Sequence, residues 1–91
     1  MIKNIKHRGL RELFQSGASR RVGQRYKKRA IRELDALNQA VKPEELNIPG
    51  FDFHKLQGNP VRYSIHVNVN YCITFGWDGE NAIDVDFGDY H

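Results

Sequence analysis

Apolar residues step by three or four along residues 22–41 and by two along residues 61–87. That change of period fixes the class of fold before any other feature is considered. The first spacing lines one side of an α-helix and the second lines one face of a strand. In the helical part Val22, Tyr26, Ala30, Leu34, Leu37 and Val41 define one buried face over roughly Gly23 to Val41. A shorter amphipathic segment precedes it. "GLRELFQSG" carries Leu10, Leu13 and Phe14 on one stripe, with Gly17 placed to stop the helix.

The period-two part supplies three strands. In "VRYSIHVN", Val61, Tyr63, Ile65 and Val67 point one way and Arg62, Ser64, His66 and Asn68 the other. In "YCITFGW", Tyr71, Ile73, Phe75 and Trp77 oppose Cys72 and Thr74. In "IDVDF", Ile83, Val85 and Phe87 alternate with Asp84 and Asp86, and "WDGEN" is a hairpin turn. "MIKNIKH" reads as a short strand through Ile2 and Ile5, "KPEEL" as a brief turn or helix starting at Pro43, and "NIPGF" as a loop. The expected architecture is α+β: a short N-terminal strand, then two helices packed on a small antiparallel sheet whose polar face is open or concave. Ninety-one residues suit a single domain, 1–91.

Composition narrows the function. The net charge of +3 hides an asymmetry: residues 1–40 hold eleven Lys/Arg against three acids, and residues 41–91 hold three against eight. A basic half of this kind suits a polyanion or an acidic partner, and equally a solvated helix face. Arg25, Lys28 and Arg32 step along the long helix beside its apolar stripe. No apolar run is long enough to span a membrane, the N-terminus lacks a signal-peptide pattern, and the lone Cys72 fits a reducing, cytoplasmic setting. No zinc-ligand spacing, Gly-rich phosphate loop or nucleophile elbow is present.

The four histidines are His7, His54, His66 and His91. On residue pattern alone His66 reads as a solvated strand residue and His54 as a partly buried structural one. Asp89-Tyr90-His91 follows a strand directly. It combines groups that hold or move protons, and it also reads as a surface tail.

The order of "MIKNIKHRGLRELFQSG", "LDALNQAVKPEELNIPGF", "FHKLQG", "YSIHVNVNYCITF" and the terminal "VDFGDYH" resembles the HigB branch of the RelE/ParE-like bacterial toxins nearly end to end. The resemblance implies an endoribonuclease toxin that cuts messenger RNA on the translating ribosome without a metal or other cofactor. Its partner would be a HigA-like helix-turn-helix antitoxin. In that chemistry a 2′-hydroxyl attacks the adjacent phosphate, which asks for a base, an acid and positive charge at the phosphorane. Carried over position by position, His54 and His91 match the proton-transfer sites, and Asp89 and Tyr90 match the adjoining catalytic positions. Arg25, Lys28 and Arg32 would contact ribosomal RNA. Tyr63 and Tyr71 suit either base stacking or the core.

Three departures from the family pattern bear on the chemistry. Cys72 stands where the family commonly carries Arg on the polar sheet face, and a thiol gives no bidentate charged grip on phosphate. Losing such a stabiliser costs about 100-fold or more in rate. Gln57 replaces a Lys, which makes Lys55 and Arg62 the candidate substitutes for phosphate binding. Val69 replaces a turn Gly and calls for a different turn type. These changes leave two alternatives open: a catalytically weak or inactive module that binds antitoxin or ribosomal RNA, and a ParE-like gyrase inhibitor.

Overall fold

The computed structural model describes residues 1–89. Helix α1 spans Arg8–Ser16 and α2 spans Gln24–Gln39, followed by a 3-10 turn over Pro43–Leu46. Four strands follow: β1 His54–Leu56, β2 Arg62–His66, β3 Cys72–Trp77 and β4 Ala82–Gly88. They form one antiparallel sheet in the order β1-β2-β3-β4. The expected α+β architecture is therefore present. The helices and one sheet face bury Leu10, Leu13, Leu34, Leu37, Ile65, Ile73, Phe75 and Val85 in a single core.

Local chemistry explains the helix ends. His7 caps α1, its Nδ1 accepting the Leu10 N–H at 3.1 Å, and its ring meets Phe87 edge-on at 5.3 Å. Gly17 ends α1 at φ 75°, and its N–H donates to the Leu13 carbonyl at 2.8 Å. A Cβ at Gly17 would meet nothing within 4 Å, so only backbone strain opposes a side chain there. Gly17→Ala should cost about 1 kcal/mol, lowering the melting temperature by about 4–8 °C. An unchanged calorimetric midpoint would contradict that assignment.

Three sequence expectations shift. Helix α2 stops at Gln39, Ala40 turns to extended backbone, and Val41 is 72% exposed rather than buried. Val61 precedes β2 and is also exposed. The N-terminal segment lies parallel to β4 but pairs only as isolated bridges, Ile2 with Ala82 and Ile5 with Val85. Between them Asn4 and Asp84 bond reciprocally: Asn4 Nδ2 donates to Asp84 Oδ1 at 2.9 Å, and the Asp84 N–H donates to Asn4 Oδ1 at 3.0 Å.

The same place breaks the alternation of β4. Asp84 has φ 50°, and the β3–β4 register shifts between Thr74 and Gly76. One extra residue in a strand turns the following side chains to the other face. Ile83 pairs with Gly76 and lies on the polar face, while Ala82 and Val85 are buried against the helices. The 67–71 turn also differs in kind, as Val69 demanded. Asn68 Oδ1 accepts the N–H groups of Asn70 and Tyr71 at 2.8 and 2.7 Å, an Asx turn that needs no glycine.

Candidate functional site on the second sheet face

Strand register places the site. His54 on β1 pairs with Ser64, and Ser64 with Thr74, which pairs with Asp86. One row along, His66 pairs with Cys72, and Cys72 with Gly88. One row the other way lie Leu56, Arg62, Gly76 and Ile83. These side chains share the face that the helices leave uncovered. Its middle carries small side chains, Ser64, Cys72 and Thr74, all nearly fully buried. Longer side chains stand around them: His54, His66, Arg62, Ile83 and Asp86. The expected concave polar face is thus a floor of short side chains with a rim of long ones.

The loop before β1 adds a residue that sequence reasoning missed. Phe51 is buried, and its carbonyl accepts the His66 N–H at 2.7 Å, pinning the loop to the end of β2. Phe53 stacks on Tyr63, with ring centroids 5.7 Å apart. Between these anchors Asp52 takes a left-handed φ of 49°, which Asp tolerates better than most residues. The turn aims its carboxylate at two histidines. Oδ1 lies 3.5 Å from His54 Nδ1, and Oδ2 lies 3.5 Å from His66 Nε2. The two rings are 6.4 Å apart.

One hydrogen bond fixes the state of His54. Its Nδ1 lies 2.9 Å from the Asp52 carbonyl oxygen. A carbonyl only accepts, so Nδ1 carries the proton, and a neutral His54 presents its lone pair on Nε2. The side chain is 59% exposed, so that nitrogen is within reach of a ligand. His54 is therefore not the partly buried structural residue that its sequence context suggested. His66 is 31% exposed and tied to the same carboxylate, which its reading as a plain solvated residue did not foresee.

Arg29 on α2 supports the arrangement from the helix side. Its Nη2 donates to the carbonyl oxygens of Gly50 and of His66, the latter at 3.2 Å. Its Nε donates to Glu33 Oε2 at 2.8 Å. Glu33 is fully buried, and burial pushes its carboxyl up to about 7 against the opposing pull of Arg29 and Arg32. The sequence held a signal for this pair: an acid inside an apolar stripe with an Arg four residues earlier.

The remaining expected site residues fall in several places. Arg62 is on the same face as His54, its Nη2 donating to Thr74 Oγ1 at 3.0 Å and to the Asp84 carbonyl at 2.9 Å. Lys55 pairs with Tyr63 and so projects to the side opposite His54. Gln57 is exposed beyond β1. Arg25, Lys28 and Arg32 are exposed on α2, and the Arg32 guanidinium lies 5.8 Å from the Phe51 ring, near the Asp52 loop. Cys72 lies on the expected face but is 2% exposed, packed between His66 and Gly88. Tyr63 stacks between Phe53 and Phe75, and Tyr71 stacks on Phe87, so both rings join the apolar packing. Asp89 is exposed where the chain leaves β4. Tyr90 and His91 lie outside the described residues.

Among the described residues no group of three His, Cys, Asp or Glu side chains converges as a metal cage. No helix among them is long and apolar enough to cross a membrane. Known proteins complete the picture. Over its whole length the chain is 36% identical to the endoribonuclease HigB of Proteus vulgaris, covering all of that protein. Residues 3–91 match the HigB-like toxin family, described as RelE-like toxin of the type II toxin-antitoxin system HigB. With its two helices on a four-stranded antiparallel sheet, the chain belongs to the HigB-like toxins, and an antitoxin is its partner.

Proposed function

We propose that this toxin is an endoribonuclease that cuts messenger RNA on the ribosome, with His54 as the base. The observation that carries the reading is the Nδ1 hydrogen bond of His54, which leaves Nε2 as the proton acceptor on an accessible sheet face. His54 Nε2 takes the 2′-hydroxyl proton, O2′ bonds to phosphorus, and the P–O5′ bond breaks. The leaving O5′ takes a proton from an acid; with His54 as the base, that role falls to His91, the other proton-transfer position the family resemblance implies. The products are a 2′,3′-cyclic phosphate and a 5′-hydroxyl end, and the reaction requires no metal. The Asp52 carboxylate stands 3.5 Å from His54 Nδ1, on the side of the ring away from the accepting nitrogen. Asp89 and Tyr90 orient the reacting groups, and Arg62, on the same face as His54, supplies charge to the RNA. The antitoxin is a HigA-like helix-turn-helix protein, and the toxin works in the cytoplasm.

The exposed cations Arg25, Lys28 and Arg32 suit the ribosomal RNA backbone. The burial of Cys72 favours a second reading, a toxin fold that binds antitoxin or ribosomal RNA and cleaves slowly, because that position offers RNA no charge. Cleavage on programmed ribosomes in the presence of a chelator separates the two. The nuclease gives new 5′-hydroxyl ends, and a native protein that leaves the message intact is the binding module. In the latter case Cys72→Arg restores cleavage if charge is what the site lacks.

A further inference from the structure

Resting on the nuclease reading above for what Arg62 serves, we propose that Asn4 is a positioning residue: acting through Asp84, it holds the Arg62 guanidinium in place on the open sheet face. Arg62 reaches from β2 across β3 to β4. Gly76 lies beneath it on β3, where a Cβ would come within 3.7 Å of Nη1, so the missing side chain leaves the guanidinium room to cross. Its Nη2 donates to the Asp84 carbonyl oxygen at 2.9 Å and to Thr74 Oγ1 at 3.0 Å. Thr74 belongs to the row of His54, Ser64 and Asp86, so these bonds carry the charge from its own row to that of the proposed base. Both bonds are made by Nη2. Nε and Nη1 have no acceptor among the described residues, where Glu33 Oε1 alone is both buried and unpartnered. Their N–H groups are therefore open to solvent and to an RNA oxygen.

The Asp84 carbonyl meets Arg62 at the bulge of β4, where Asp84 has φ 50° and the β3–β4 register shifts. Asn4 grips that bulge at three points. Its Nδ2 donates to Asp84 Oδ1 at 2.9 Å, and its Oδ1 accepts the Asp84 N–H at 3.0 Å. Its carbonyl oxygen accepts the N–H of the next residue, Val85, at 3.1 Å. Bonds on both sides of the Asp84 peptide fix the direction of the carbonyl between them. The N-terminal segment flanks β4 on the side away from β3, so Asn4 reaches Arg62 only through Asp84. Without a fixed carbonyl the guanidinium keeps one acceptor, Thr74 Oγ1, and pivots about it. A charge displaced by about 1 Å loses much of its effect on a reacting group.

The test pairs ¹H–¹⁵N spectroscopy of the guanidinium with cleavage of ribosome-bound message. Held by two acceptors, Nη2 of Arg62 should rotate slowly and give Nη signals distinct from each other, assigned by their loss in Arg62→Lys. In Asn4→Ala these signals should merge, and cleavage should fall about fivefold. Arg62→Ala should lower cleavage about 10–100-fold. Adding Asn4→Ala to Arg62→Ala should change it by less than about twofold, because the two act in series. Asn4 is exposed, so its replacement opens no cavity. Asn4→Asp keeps the acceptor for the Asp84 N–H and loses the donor, and it should also merge the signals. Unchanged Nη signals in Asn4→Ala overturn the proposal. So does an equal loss of cleavage with and without Arg62, the mark of a merely structural residue. A native protein that leaves the message intact refutes the nuclease, and the signals alone then judge the brace: merging upholds it, persistence overturns it.

Discussion

Replacing His54 by Ala lowers single-turnover cleavage of ribosome-bound message about 10²–10⁴-fold, the usual worth of a positioned proton acceptor. The fold survives the change, because the side chain is 59% exposed on an edge strand and its loss opens no core cavity. Thermal unfolding should shift by no more than a few degrees, so lost activity reports lost chemistry. Asp52→Asn retains the backbone carbonyl that sets the His54 tautomer and removes only the charge behind it. It should therefore cost less, about tenfold. A His54→Ala protein cutting within tenfold of native would remove the proposed base and assign the proton transfer to another group.

The parts of this site that could be read in the sequence are those set by local pattern. Gly17 ends α1, the α2 stripe from Ala30 to Leu37 is buried, and alternation put Arg62, His66 and Cys72 on one face. Alternation failed at Ile83, because a bulge at Asp84 depends on the N-terminal segment eighty residues away in the chain. It also gave no hint that Ser64, Thr74 and Cys72 are buried, since their shielding comes from long side chains on neighbouring strands. Asp52 reads as an ordinary loop acid, and Arg29 as one more cation on a basic helix. Their roles come from contacts made only when the loop folds over the end of β2. The family resemblance supplied His54 from outside the residue pattern. Its pairing with His66 is specific to how this chain closes around Asp52.

Burial of Glu33 makes stability fall as pH rises, and removing its partner Arg29 enlarges that loss. Glu33 is buried and titrates near 7, above its ordinary value of about 4.5, and its Oε1 has no hydrogen-bond partner among the described residues. Between those two values the folded protein holds a proton that the unfolded chain has released. The contribution of protonated Glu33 is therefore complete below about pH 4.5, declines across the window and is lost above about pH 7, a change of about 3 kcal/mol. Glu33→Gln should flatten this part of the profile in urea unfolding between pH 5 and 8. Arg29→Ala leaves the buried carboxylate without its cation, and should cost about 3–5 kcal/mol at pH 8. At pH 5 the cost should be smaller, because a protonated Glu33 no longer needs the charge. The consequence extends to the site. Arg29 also holds the carbonyl oxygens of Gly50 and His66, so its loss frees the loop that aims Asp52 at both histidines. Cleavage by Arg29→Ala should therefore drop even at pH 5, where most of the molecules stay folded. Parallel stability profiles for the native and Glu33→Gln proteins would show that Glu33 does not set the pH response. Full activity of a folded Arg29→Ala protein would detach the clamp from the site, leaving Phe51 and the β2 strand end to position Asp52.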